Sequence, residues 1–333
     1  MSEPCLIIGD IGGTNARFAI ANAAAPGFSN QRHYTCKEFE TADLAIRRYL
    51  EDVATPAPDA ICLAVAGSVV DQSVRFTNNN WSINCHELAA DFAGVPVCLL
   101  NDFEAIAYSI PFLLATDSES IGLPEVGIPD SQNCMIGIIG PGTGLGCAAL
   151  CVHDNMLVPI VGEGGHTGFA PESQVQMDIL AVLRERFDRV SDERLVSGPG
   201  LQNLYWALKK IHGEKPVQLS TEQIFSRSQS NNNSRAQEAV QLFFELLGQV
   251  AGNVALTMKT IDGVYVAGGI AKRYPHVLAN SRFRAGFENK GRYRSLMEQI
   301  PTRLITHSEP GLLGASYCAA RLLRGDFNRA DRR

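Results

Sequence analysis

A carboxylate beside a glycine turn is the first arrangement in this chain that could do chemistry. In Leu6–Arg17, LIIGDIGGTNAR, an apolar run ends at Gly9-Asp10, Gly12-Gly13-Thr14 follow, and the chain turns back through Arg17–Ala21. The pattern reads as a buried strand, a glycine turn and a second strand. Gly12 and Gly13 carry no Cβ and can take φ > 0, so backbone N–H groups there can approach an anion closely. Asp10, at the strand end, is placed to hold a metal ion beside that anion. An ordinary tight hairpin capped by an Asp fits the segment equally well. A second turn of the same kind, Gly140-Pro141-Gly142-Thr143-Gly144-Leu145-Gly146, follows the strand-like Met135–Ile139. At an offset of 131 positions Gly9 falls on Gly140 and Gly13 on Gly144. Two such turns could hold the two sides of a polyphosphate. Both lead into strand-like sequence, which fits dinucleotide binding poorly, and no G-x-x-x-x-G-K-[ST] is present.

Asn101-Asp102 follows the apolar run Pro96–Leu100. A carboxylate there can accept the proton of a substrate hydroxyl as it attacks phosphorus, a form of help typically worth ~10²–10⁴ in rate. Capping of the next helix is the competing reading. Glu163-Gly164-Gly165-His166 puts a carboxylate and an imidazole three apart in a loop, suited to vicinal hydroxyls or to half of a zinc site, with no third zinc ligand evident. Glu193, ahead of Ser197-Gly198-Pro199-Gly200, is a candidate or an exposed helix-end glutamate.

The elements that must position these residues alternate. Amphipathic Thr41–Val53 precedes the buried strand Asp59–Ala66, and Asn84-Cys85-His86-Glu87 resembles a capping box opening a helix to Phe92. Strands alternating with helices predict α/β domains with largely parallel core sheets, and sites just beyond strand ends. Proline and glycine thicken at Leu123–Pro129, a candidate crossing between domains. The second half reads as helices over Glu172–Phe187, Pro199–Ile211, Ser220–Ser226 and Ser234–Thr260, the last apolar on most of its circumference and so a buried central helix. Gln229–Asn233 is a polar tract, Gly263–Ala267 and Leu304–Thr306 are strands, and Pro310–Leu323 is the final helix.

Length predicts two domains. A hydrophobic content of 45% with 19% charged residues is that of a folded soluble chain, and the net charge of -6 argues against a nucleic-acid partner. Nine cysteines without a C-x-x-C pair suit a reducing cytosol and not a disulfide framework. No signal-peptide pattern and no apolar run of membrane-spanning length is read, so a cytoplasmic location without a membrane partner is expected.

Taken together, GDIGGTNAR, TNNNW, NDFEAIAYSIP, GPGTGLG, EGGHTGFAP, ERLVSGPGLQNLY, VAGGIAKR and PGLLGA resemble the bacterial glucokinases essentially end to end. That resemblance implies an α/β, two-domain actin-like ATPase (ribonuclease H-like) fold, with duplicated βββαβα-type domains around a cleft. The small domain would be discontinuous, 1–112 plus 309–333, and the large one 113–308. The implied activity is phosphorylation of D-glucose to glucose 6-phosphate by ATP with Mg2+. Gly9, Asp10, Gly12, Gly13 and Thr14 would form the first phosphate loop, Asp10 lying near the magnesium through water. Gly142, Thr143, Gly144 and Gly146 would form the second, and Gly268 and Gly269 would lie against adenosine. Asn101, Asp102, Glu163, His166 and Glu193 would bind the sugar, with Asp102 as base on the 6-hydroxyl. The repressor/ORF/kinase lineage carries a cysteine-rich zinc motif after its sugar-binding His, and none follows His166. A homodimer is the resemblance's expectation for assembly. The alternatives are a kinase for another hexose or with another phosphate donor, and a sugar-responsive regulatory protein that binds ATP without turnover; the intact Asp102 disfavours the last.

Overall fold

The structure, a computed structural model, describes residues 3–76, 80–125, 133–230 and 234–327. Within the first half, strands β1 (Leu6–Ile11), β2 (Asn15–Ala21) and β3 (Phe28–Thr35) lead to helix α1 (Ala42–Asp52) and strand β4 (Ala60–Val65). A hairpin of β5 (Ser73–Arg75) and β6 (Ser82–Asn84), helix α2 (Cys85–Asp91), strand β7 (Val97–Asn101) and helix α3 (Asp102–Ser109) follow. Next come β8 (Ser118–Ser120), β9 (Cys134–Pro141), β10 (Leu145–His153) and β11 (Met156–Gly162). Helices α4 (Gln174–Leu183), α5 (Gly198–Ile211), α6 (Thr221–Ser228) and α7 (Ser234–Met258) precede β12 (Val264–Val266). Short helices α8 (Gly269–Arg273), α9 (Pro275–Ala279), α10 (Phe283–Glu288) and α11 (Arg294–Met297), strand β13 (Thr302–Ile305) and helix α12 (Pro310–Arg324) complete the chain.

Two compact units result, Met1–Leu114 with His307–Arg333, and Ala115–Thr306. The division falls ahead of the Leu123–Pro129 stretch, and β8 already belongs to the second unit through its antiparallel pairing with β13. The first unit holds a five-stranded sheet in the order β3-β2-β1-β4-β7, the second a six-stranded sheet in the order β11-β10-β9-β12-β13-β8. In both, an inner strand pairs antiparallel with the strand after its glycine turn and parallel with the next one along. The offset read from the glycines is therefore a duplication of topology: β1, β2, β3, β4 and β7 correspond to β9, β10, β11, β12 and β13.

β4 is buried at every position and β1 at all but Asp10, as strands covered on both faces must be. In the first unit Phe18, Ile46, Tyr49 and Leu63 form one core with Trp81 and Leu88. The second unit is built on α7, whose Phe243, Phe244, Leu247 and Ala251 pack with Leu204, Phe225 and Phe287. Contrary to the sequence reading, one described helix, α7, is long and apolar enough to cross a bilayer, but 78% of its apolar window is buried inside its unit. It is a core helix.

Helix starts follow local chemistry. Asn101 and Ser220 form complete capping boxes with Glu104 and Gln223. Asn84 accepts from the His86 and Glu87 N–H groups, a simple cap without the reciprocal arm the sequence suggested. Gly325, at φ 76°, closes α12 in the left-handed conformation that favours glycine. Of the stretches read from sequence, most of TNNNW and of the 229–233 tract and the end of 123–129 lie outside the described residues.

Candidate active site

The first unit places its candidates along one edge of its sheet. Ile11 pairs with Val65 and Val65 with Asn101, so the first glycine turn and the Asn101-Asp102 pair leave from the same end of the parallel strands β1, β4 and β7. Two strand spacings separate them, about 10 Å. The turn between β1 and β2 is closed by the Gly12 N–H donating to the Asn15 carbonyl (2.9 Å) and tied to the end of β3 by the Cys36 N–H donating to the Thr14 carbonyl (2.9 Å). Neither Gly12 nor Gly13 has positive φ. What glycine supplies here is room, for a Cβ on Gly12 would meet only the Asn15 carbonyl, at 3.7 Å. A cavity of about 550 Å³ opens beside the turn, lined among others by Gly13, Thr14, Lys37, Glu40 and Trp81, a volume in the range of small-molecule sites.

Asp10 is the one partly exposed residue of β1. Its Oδ2 accepts from Arg17 Nη1 at 3.3 Å, and Oδ1 has no hydrogen-bond donor among the described residues. Burial raises its carboxyl above the ordinary range, opposed by the Arg17 guanidinium. A single carboxylate oxygen of this kind fits magnesium, which keeps most of its waters and takes phosphate oxygens as further ligands. No group of three or more metal-ligating side chains occurs among the described residues, so the protein alone offers no dedicated metal cage there.

Asn101 is both cap and tie. Its Oδ1 accepts from the Phe103 (2.9 Å) and Glu104 (3.4 Å) N–H groups, and Nδ2 donates to the Gly67 carbonyl (3.1 Å), leaving one amide hydrogen for a ligand. Asp102 opens α3, its Oδ1 accepting from the Phe103 N–H at 2.9 Å. Capping and function are thus not alternatives: the cap belongs to Asn101 and fixes the turn that presents Asp102.

In the second unit the remaining candidates converge on the second turn, between β9 and β10. Gly142 N–H donates to the Gly144 carbonyl (2.8 Å), and the Gly198 N–H to the Gly142 carbonyl (2.9 Å). The N–H groups of Thr143 and Gly144 have no partner among the described residues, and a Cβ on Gly142 would meet nothing within 4 Å. Gly164 and Gly165 are packing glycines: a Cβ would come 2.8 Å from the Cys147 Cβ at the first and 2.2 Å from the Leu145 carbonyl at the second. Only glycine lets the Glu163–His166 turn lie flat on β10. Thr167 Oγ1 then donates to Asp192 Oδ2 at 2.8 Å, which brings Glu193 in. Glu193 Oε2 accepts from the Leu145 N–H at 3.0 Å and stands 3.9 Å from His166 Nε2. Gly268, at φ 89°, closes the far side, since a Cβ there would lie 2.5 Å from the Pro141 carbonyl. Gly269 is open, with nothing within 4 Å. Sequence reading singled out the turn glycines, Glu163, His166 and Glu193 here but not Thr167 or Asp192, and in the first unit it gave no role to Arg17, which holds Asp10, or to Cys36, which ties the first turn.

Burial raises the Asp192 carboxyl from its ordinary 3.8 to about 6, with the Thr167 hydrogen bond and Arg189 opposing. Between those values the folded chain holds a proton that the unfolded chain has released, so stability falls as pH rises through this window. The penalty is absent below about pH 4 and complete above about pH 6, at most about 3 kcal/mol. Asp192→Asn, which retains an acceptor for Thr167, is expected to raise the urea midpoint at pH 8 and to raise it less at pH 5; equal shifts at both would contradict this origin. At Gly144 a Cβ would lie 2.5 Å from Glu193 Oε2, a movable side-chain end. If Glu193 binds sugar hydroxyls, as the resemblance implies, Gly144→Ala is expected to fold normally and to weaken glucose binding by about tenfold in ATP-free calorimetry, the loss of roughly one hydrogen bond. An unchanged affinity would separate Glu193 from that role.

Two domains, each a β-sheet with an antiparallel glycine hairpin feeding parallel strands, and each carrying a glycine turn and carboxylates beyond the strand ends, define an actin-like ATPase fold of the sugar-kinase type. The glucokinase family model matches residues 7–322. A glucokinase of Yersinia pestis (strain Pestoides F) is 37% identical over 311 residues, 93% of this chain and 94% of that one. Among solved structures, a glucokinase from an Antarctic psychrotroph superposes with TM-score 0.85 at 30% identity, over 96% of this chain and 99% of that one. The fold also matches a glucokinase from Balamuthia mandrillaris solved with glucose (TM-score 0.77, 21% identity, 96% and 94% covered). A repressor/ORF/kinase-family glucokinase from Streptomyces griseus, solved with glucose and AMPPNP, shares it more distantly (TM-score 0.63, 17% identity, 94% and 98% covered). The chain belongs to the glucokinase family, and its class of activity is ATP-dependent phosphorylation of glucose.

Proposed function

We propose that Asp102 takes the proton from the glucose 6-hydroxyl as it attacks the γ-phosphorus of ATP, giving glucose 6-phosphate and ADP. The carrying observation is the placement of Asp102: a half-buried carboxylate at the first position of α3, held by the Asn101 capping box at the same sheet edge as the first glycine turn. Glu163, His166 and Glu193, with the remaining amide hydrogen of Asn101, bind the other sugar hydroxyls. A sugar lacking one of these hydroxyls leaves a desolvated partner unpaired, which supports selectivity for glucose.

Gly9–Thr14 and Gly142–Gly146 hold the phosphate chain through backbone N–H groups, and Gly268-Gly269 lie against adenosine. Asp10 would hold the magnesium bound with ATP, and the metal would supply charge neutralisation on the phosphates. Phosphoryl transfer needs alignment and charge stabilisation more than covalent chemistry, so the protein's part is to orient the sugar oxygen and accept its proton. All nine cysteines are free thiols, which supports placing the enzyme in a reducing cytoplasm. A coupled assay across hexoses and phosphate donors tests the reading: glucose with ATP is expected to give the highest kcat/KM, and a preference for another sugar or donor would overturn it.

A further inference from the structure

Arg17 belongs to the motif that opens the chain, yet nothing above uses it chemically. Strand register puts Asp10 of β1, Arg17 of β2 and His33 of β3 side by side on one sheet face. Arg17 Nη1 donates to Asp10 Oδ2 at 3.3 Å, and Arg17 Nε lies 3.5 Å from Glu309 Oε1. The second pair is an ion pair without hydrogen-bond alignment, since Nε is buried with no hydrogen-bond partner. Glu309 is fixed from its other side: its Oε1 accepts from Gln31 Nε2 (3.2 Å), and its N–H donates to His307 Nδ1 (3.1 Å). It immediately precedes α12, whose Gly311 is so close that a Cβ would stand 3.6 Å from Asp10 Cγ. One guanidinium thus stands between two carboxylates that come from opposite ends of the chain.

We propose that Arg17 is a positioning residue for the metal–nucleotide: by holding Asp10 Oδ2 and standing between Asp10 and Glu309, it leaves one carboxylate oxygen for magnesium and denies a bare cation a two-carboxylate site. The proposal rests on the reading of Asp10 as the metal-side carboxylate. Two carboxylates facing one another without the guanidinium would suit a hard divalent ion directly. With the guanidinium between them the net charge of the trio is -1, and the metal must bring its own anionic ligands, which the phosphates of ATP are. An arginine suits the task because its planar fork spreads donors in fixed directions toward two carboxylates, whereas a lysine ammonium is a compact point charge on a flexible stem.

Mn2+ can stand in for Mg2+ in the test, its free concentration read by electron paramagnetic resonance with and without ATP, beside steady-state kinetics. The wild type is expected to bind Mn2+ measurably only with ATP. Arg17→Met is expected to bind Mn2+ without nucleotide at least about tenfold more tightly than the wild type, and to raise KM for MgATP about tenfold while kcat changes less than about threefold. Arg17→Lys is expected to fall between the two, and it carries the test alone if Arg17→Met does not fold. An Arg17 variant with wild-type KM for MgATP and no nucleotide-independent Mn2+ binding overturns the proposal. Asp10→Asn separates the two layers of the argument. If it leaves Mn2+–ATP affinity unchanged, the assignment of Asp10 itself fails; if it weakens that affinity while the Arg17 variants do not, only the role of Arg17 fails.

Discussion

Asp102→Asn is expected to lower kcat by about 10²–10⁴-fold, the usual contribution of a general base, while glucose binding measured without ATP weakens only a few-fold. The asymmetry follows from what the side chain does. As a ligand it is one of several polar contacts to the sugar, and an amide can still accept or donate one hydrogen bond. As a base it has no neighbour positioned to replace it among the described residues of α3: Phe103 is apolar, and Glu104, buried, donates no proton path because its carboxylate is held by the Asn101 N–H at 3.2 Å. The exchange leaves the first turn of α3 with its Asn101 cap, so the fold should survive, with a loss of about 0.3–1 kcal/mol from removing an acid at a helix N-terminus. Calorimetry with glucose and rapid-quench measurement of phosphoryl transfer check the two halves separately. A few-fold change in transfer would assign the proton to another acceptor.

The largest expected effect on stability lies at Gly314. In α12 a Cβ at this position would stand 1.7 Å from the Ala105 carbonyl oxygen and 3.1 Å from the Ser109 nitrogen, both backbone atoms of α3. Neither can yield without moving a helix. Gly314→Ala, favourable by helix propensity alone, is expected instead to destabilise the first unit by about 3 kcal/mol or more, at or beyond the upper end of overpacking effects. Trp81, 2% exposed and in the same unit, reports the loss in a urea titration followed by fluorescence. Because α3 begins with Asp102, a variant that retained its fold by tilting α3 should lose turnover before it loses solubility. An unchanged midpoint would show that the two helices do not meet as closely as described.

Features with a local cause were legible in the sequence. The two glycine turns could be matched because strand, turn and strand repeat at a fixed offset, and the sheets bear this out with the same strand order around β1 and β9. The apolar circumference of α7 announced a core helix, although its length for a membrane span was underestimated. Other features were hidden because their cause is distant in the chain. Gly164 and Gly165 read only as spacers in a loop between Glu163 and His166, whereas they are demanded by contact with Leu145 and Cys147 on β10. Strand β8 was missed because three residues, Ser118–Ser120, carry no apolar alternation and are held by pairing with β13 and by Arg303, which donates to Ser118. Helices α9, α10 and α11 are each too short for periodicity to register. The Asp10–Arg17–Glu309 trio could not be read at all, since nothing local links the first strand to the start of the last helix.

Phosphorus-31 NMR of the full chain with glucose and MgATP, run in parallel for the wild type and Asp102→Asn, tests the central claim most directly. The predicted result is equimolar ADP and glucose 6-phosphate from the wild type, with the same product forming from Asp102→Asn at a rate lower by about 10²-fold or more. Phosphate appearing on a different hydroxyl, or equal rates from the two proteins, would contradict the assignment of Asp102 as the base that activates the 6-hydroxyl.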